Sequence, residues 1–204
     1  VADAVLEKRI WMQQGANTTY VKYELKRGSA PLSLSVSALV NYRHYHSQTE
    51  ASEWQMSVEP VQNGLKIIAY DGAIPFYLLS DKAAVLPKHQ WHFRYFLLRE
   101  ANRGLPANDD NLCVGEFEIT LEVGDSVLLV ASIDATPRLN ETAHAERAVR
   151  DADLLRRFTT WQGVALTAVS PQIQQLVLAA DQFIVKRRLD NDPNGRSIIA
   201  GYHW

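Results

Sequence analysis

The sequence predicts a mainly-β chain: an antiparallel β-sandwich followed by a helical linker and one or two α-helices. Three observations predict it. Between residues 5 and 134, apolar and polar side chains alternate with a period of two in segment after segment. Turn residues punctuate those segments at fairly even intervals, at Asn63-Gly64, Asp71-Gly72, Gly104 with Pro106, and Gly124-Asp125. After Asp134 the period becomes helical. Alternation gives a strand one apolar and one polar face. A half-buried sheet must cover its apolar face with another layer, which a sandwich provides.

Taken in order, Leu6, Lys8, Ile10 and Met12 alternate with Glu7, Arg9 and Trp11. Thr19, Val21, Tyr23 and Leu25 alternate with Tyr20, Lys22 and Glu24. After Gly28, Leu32, Leu34, Val36, Ala38 and Val40 alternate with serines. Further strands are expected at Leu65–Tyr70, Phe76–Ser80, Trp91–Leu98, Glu116–Val123 and Ser126–Ile133. Asn140–Phe158 is rich in Ala, Glu, Arg and Leu with mixed charge, and reads as a surface helix or helical linker. Ser170-Pro171 starts a second helix, with Ser as N-cap and Pro in the first helical position. Ile173, Leu176, Val177, Ala180, Phe183 and Ile184 are expected along one face of it. Lys186, Arg187 and Arg188 suit its C-terminal end, and Asp190–Gly195 reads as a polar turn. The expected division is a sandwich over residues 1–136, a linker over 137–165, and a helix with an entry loop over 166–204.

Composition narrows the function classes. A chain of 204 residues buries enough surface to fold without staples. A net charge of −2, with no basic stripe among the aromatics, gives no reason to expect nucleic acid. No apolar run approaches the ~20 residues of a membrane span, and no signal peptide opens the chain. Cys113, the single cysteine, has no internal partner and fits a reducing, cytoplasmic setting. The chain opens without Met and closes on Ser197-Ile198-Ile199-Ala200-Gly201-Tyr202-His203-Trp204, so both ends read as cuts.

Three stretches carry a family resemblance. They are Leu6-Glu7-Lys8-Arg9-Ile10-Trp11-Met12 followed by Asn17-Thr18-Thr19; Leu39-Val40-Asn41-Tyr42-Arg43-His44-Tyr45-His46; and Leu176–Val185 running on to Ile199-Ala200-Gly201-Tyr202-His203-Trp204. On these residues the chain resembles the bacterial and archaeal glycogen debranching enzymes, the amylo-α-1,6-glucosidases. The resemblance implies a supersandwich of the galactose-mutarotase-like or glucoamylase N-terminal kind. It also implies further sandwich before Val1 and an α/α-toroid catalytic domain after Trp204, acting in cis. The implied partner is an α-glucan: glycogen, limit dextrin or a maltooligosaccharide. No cofactor is expected. His44 is a departure, since relatives commonly carry an acidic residue there.

Glycoside hydrolysis needs two carboxyl groups flanking the scissile bond. No pair stands out. Glu116, Glu118 and Glu122 share the polar face of one strand, Asp181 is expected to make structural hydrogen bonds, and Asp190 and Asp192 belong to a turn. The catalytic acid and base are expected beyond Trp204, with none in this chain. Tyr202, His203 and Trp204 are the first candidates for substrate contact, because flat rings stack on sugar faces while polar tips reach hydroxyls. Tyr42, Arg43 and His46 are the second group, on a loop at a strand end. His44, His46, His89 and His92 suggest a metal only weakly, since no acidic ligand matches their spacing. Trp54, Trp91 and Trp161 read as packing residues, and Cys113 as an inert small hydrophobe. The rival readings are a free-standing carbohydrate-binding sandwich, another toroid glycosidase or phosphorylase such as a glucoamylase, and a metal-dependent sandwich enzyme.

Overall fold

The computed structural model describes residues 3–44, 47–51, 55–187 and 195–199. Contacts divide the chain into two compact units, Val1–Ala143 and His144–Trp204. Strand makes up 44% of the described residues, so the fold is mainly β, as the alternation predicts.

The first unit holds two antiparallel sheets. β1 (Val5–Met12), β2 (Thr18–Arg27), β9 (Ser126–Ser132), β6 (Phe76–Ser80), β5 (Gly64–Ile68) and β4 (Ser57–Val61) lie side by side in that order. β3 (Leu32–Val40), β8 (Asn108–Leu121) and β7 (Ala84–Phe96) form the second sheet, with β8 central. Between the sheets, Leu65 and Ile67 of β5 cluster with Leu112 and Val114 of β8. A second centre joins Leu25 and Val127 to Leu121, with Leu32 and Leu34 packed against it. Two glycines let backbones approach. A Cβ on Gly64 would lie 2.0 Å from the Leu78 carbonyl oxygen, and one on Gly115 would lie 2.6 Å from Leu65 Cδ1.

The six-stranded sheet is apolar on its other face too. Alternation along β9 sends Val127 and Leu129 inward and Leu128 and Val130 outward. Outside, Trp11 and Tyr20 are cross-strand neighbours whose rings stack 5.4 Å apart. Leu139 and Ala143 cover this group. Lys22 Nζ ties the covering segment down at Glu141, 2.7 Å away.

Several elements differ from expectation. β4 went unpredicted because Pro60 interrupts it, yet β4 lies at the sheet edge, where a proline is tolerated. β7 begins seven residues before the expected Trp91 and gives way to a short helix, α1 (Leu98–Asn102). β8 begins at Asn108 rather than Glu116, because its polar opening, Asn108-Asp109-Asp110-Asn111, looks like a loop.

In the second unit, α2 (Thr142–Gln162) starts in the first unit's covering segment, where Asn140 Oδ1 accepts the Thr142 amide at 3.0 Å. It ends at Gly163, whose φ of 68° is the left-handed conformation that favours glycine. Exposed ion pairs such as Arg157–Asp153, at 2.7 Å, suit its surface character. α3 (Pro171–Asp181) has the predicted cap, since Ser170 Oγ accepts from the Ile173 amide. It stops earlier than expected. Gln182 caps it, and Ile184 and Lys186 belong to a strand, β10 (Ile184–Lys186), paired with β11 (Arg196–Ile198). Arg188 and the expected turn at 190–194 lie outside the described residues. Among the described residues, no helix is long and apolar enough to cross a membrane.

Candidate functional site

The polar opening of β8 organises one end of the sandwich. Asp109 is 3% exposed, and a buried carboxylate is costly unless paired and hydrogen-bonded. Here Oδ1 accepts the Thr49 amide at 2.7 Å. Oδ2 accepts Arg43 Nε at 3.0 Å and Asn41 Nδ2 at 3.1 Å. Arg43 also donates through Nη1 to the Ser47 carbonyl at 2.7 Å. The loop after β3 is therefore held at both its start and its return.

Asp110, the next residue along the strand, clamps a different pair of segments. Its Oδ2 accepts the Ala51 amide at 3.0 Å and its Oδ1 the Arg94 amide at 2.7 Å. Arg94 has a φ of 58°, left-handed backbone that a side chain rarely adopts and that costs strain.

Over this framework lies a groove of two adjoining cavities. One, of about 730 Å³, is lined by Arg43, Phe96 and Glu100 among others. The second, of about 540 Å³, is lined by Phe93, Arg94 and Asn108 among others. Gln48 and Pro106 line both. The volumes are those of small-molecule sites. The lining mixes bare rings with amide, guanidinium and carboxylate groups, which equips it for binding.

Of the predicted site residues, Arg43 lines this groove. Tyr42 alternates away from it. Its ring packs against Tyr70, centroids 5.7 Å apart, and Phe76, at 6.4 Å. His46, Tyr202, His203 and Trp204 lie outside the described residues, as do Trp54, Asp190 and Asp192. Asp181 is ion-paired with Arg150. Glu116 sits 2.5 Å from Lys88 Nζ, and this hydrogen bond raises the lysine's pKa above its ordinary value. His89 Nε2 bonds the Met56 carbonyl at 2.8 Å. Among the described residues, no three His, Cys, Asp or Glu side chains are grouped to hold a metal. Trp91 packs against the sandwich core, whereas Trp161 is 82% exposed and not a core residue. Cys113 is buried.

Sequence reasoning missed Gln48, Phe93, Phe96, Asp109 and Asp110. The signal for the aspartates was their adjacency to a strand that continues their alternation. For the phenylalanines it was an excess of aromatics where a half-buried strand should turn polar.

The profile of the family described as glycogen debranching enzyme N terminal matches residues 1–128. That span contains the loop, both aspartates and both phenylalanines. Among curated proteins, none matches the chain. With more than half its length matched, and the antiparallel sandwich filling the matched span, the chain belongs to the glycogen debranching enzyme N-terminal family.

Proposed function

We propose that this chain is the β-sandwich part of a glycoside hydrolase that cleaves α-1,6-glucosidic branch points of glycogen or limit dextrin. The single observation that carries the reading is the family match over residues 1–128, which implies an α-glucan substrate. In this reading residues 1–136 form the sandwich, 137–165 the linker, and 166–204 the first helix and entry loop of a toroid catalytic domain. The catalytic acid and base belong to that domain. The sandwich packs on it and shapes the cleft. The loop carrying Arg43, held rigid by Asp109, supports this role, because a wall residue must keep its geometry. Arg43 and His46 contact substrate or the catalytic domain from one side, with Tyr42 anchoring their loop on the sandwich core, and Tyr202, His203 and Trp204 from the other. The setting is cytoplasmic.

The test compares panose, which carries a terminal α-1,6-linked glucose, with maltotriose, which has only α-1,4 bonds. The protein uniting this sandwich with its catalytic domain is expected to release glucose from panose far faster. Equal rates, or activity on maltotriose alone, would overturn the reading in favour of a glucoamylase-like enzyme.

A further inference from the structure

Phe93 and Phe96 border one groove although they stand three apart on a strand, a spacing that normally sends side chains to opposite faces. The register explains it. His92 pairs with Asn111 and Tyr95 with Asp109, so β7 advances three residues while β8 advances two. The extra residue is a β-bulge, which re-aims the side chains that follow it. The bulge contains Arg94 at φ 58°, pinned through its amide by Asp110. This one strained bulge thus sets Phe93 and Phe96 on the same side of β7. Phe93 and Phe96 are 66% and 64% exposed.

Gln48 lines both cavities, the one bordered by Phe96 and the one bordered by Phe93. Its amide nitrogen is buried with no hydrogen-bond partner among the described residues, and so is the hydroxyl of Thr49, a residue 1% exposed on the wall of the smaller cavity. Orphaned polar groups of this kind are rare in folded proteins and call for an explanation. Bare rings spaced along a groove, with unmatched hydrogen-bond groups in its lining, suit a ligand that alternates flat apolar faces with hydroxyls.

We propose that this groove, lined by Phe96, Gln48 and Phe93, is an α-glucan subsite on the sandwich itself, able to hold a maltooligosaccharide without the catalytic domain. The proposal rests on the α-glucan reading above. Successive glucose units cover the two rings, and turning the Gln48 amide outward satisfies it on a sugar hydroxyl.

The test titrates maltoheptaose into the 204-residue chain by calorimetry, with cellohexaose as the β-linked control. Saturable binding of maltoheptaose alone is expected. Phe93→Ala and Phe96→Ala should each weaken it about ten-fold or more while leaving the circular dichroism spectrum and thermal midpoint in place, since both rings are exposed. Phe96→Trp should retain binding. Maltoheptaose binding that both alanine variants leave unchanged would overturn the groove and leave the glucan reading standing. No maltoheptaose binding would also overturn it. Self-association that the alanine variants abolish in the ultracentrifuge would instead identify the groove as a protein contact. The panose comparison reads the enzymatic proposal separately from all of these.

Discussion

Asp109 receives Arg43 and Thr49 on separate oxygens, at 3.0 Å and 2.7 Å, so one buried carboxylate fixes both limbs of the loop that follows β3. Removing that carboxylate takes the charge partner from Arg43, one acceptor from Asn41 and the acceptor from the buried Thr49 amide at once. Asp109→Ala is therefore expected to cost about 3 kcal/mol, in the range for breaking a buried pair. Arg43→Ala should cost less, about 1–2 kcal/mol, because Thr49 and Asn41 still satisfy the aspartate and the arginine is partly exposed. Urea denaturation of the two variants checks the order. Equal losses would mean that the loop is not held by this carboxylate.

The outer face of the six-stranded sheet makes a second prediction. Trp11 and Tyr20 stack beneath the segment carrying Leu139 and Ala143. Trp11→Ala leaves a cavity there and is expected to destabilise by about 3–5 kcal/mol. For a chain of this size the midpoint should fall by roughly 2–4 °C per kcal/mol. Thermal unfolding followed by circular dichroism measures it. A loss under about 1 kcal/mol would show that the covering segment does not bury this face.

Gly64 tests the close approach of β5 to β6. Its φ is unremarkable, so the constraint is space: an added Cβ meets the Leu78 carbonyl oxygen at 2.0 Å. Backbone cannot yield as a side-chain tip can. Gly64→Ala is expected to cost about 3 kcal/mol or more, at the upper end for overpacking. Gly115→Ala should cost less, because its nearest neighbour is the Leu65 side chain. Chemical denaturation ranks the two, and the reverse order would contradict the packing described.

Much of this fold was legible. β3 buries one face and exposes the other, so alternation marks it clearly, whereas β9 is apolar on both faces and reads as a strand from a short apolar run bounded by turns. The cap at Ser170 was legible too, because it depends on two adjacent residues. The rest depended on partners distant in sequence. Asn108–Asn111 is a strand only because its aspartates find Thr49, Ala51 and Arg94 after folding. Pro60 was readable as a strand residue only once β4 lay at an edge. Ile184 fits a helical stripe as well as a strand, and pairing with Ile198 decides it. The groove was illegible because the bulge that brings Phe93 and Phe96 together is set by register, not by local pattern.

Acid and alkali should each weaken the Lys22 cluster, through different groups. Lys26 and then Lys22 hydrogen-bond Glu24 and hold its carboxyl below the ordinary 4.5. A carboxyl depressed by folding contributes stability above its unfolded value and loses it as pH falls through the depressed one. Glu141, then Glu24, raises the Lys22 ammonium above 10.5. That contribution is present below the unfolded value and is lost as pH rises through the raised one. Glu24→Gln should therefore lose less stability than the native chain between about pH 7 and about pH 3. Urea midpoints at the two values check it, and identical acid sensitivity would remove Glu24 from the account.

The most direct test of the central claim is glucose release from limit dextrin, measured for the 204-residue chain alone and for a protein that joins it to the proposed toroid catalytic domain. The joined protein is expected to release glucose and the isolated chain none. Glucose released by the 204 residues alone, or none released by the joined protein, would contradict the assignment of this sandwich to a debranching glycosidase whose chemistry resides elsewhere.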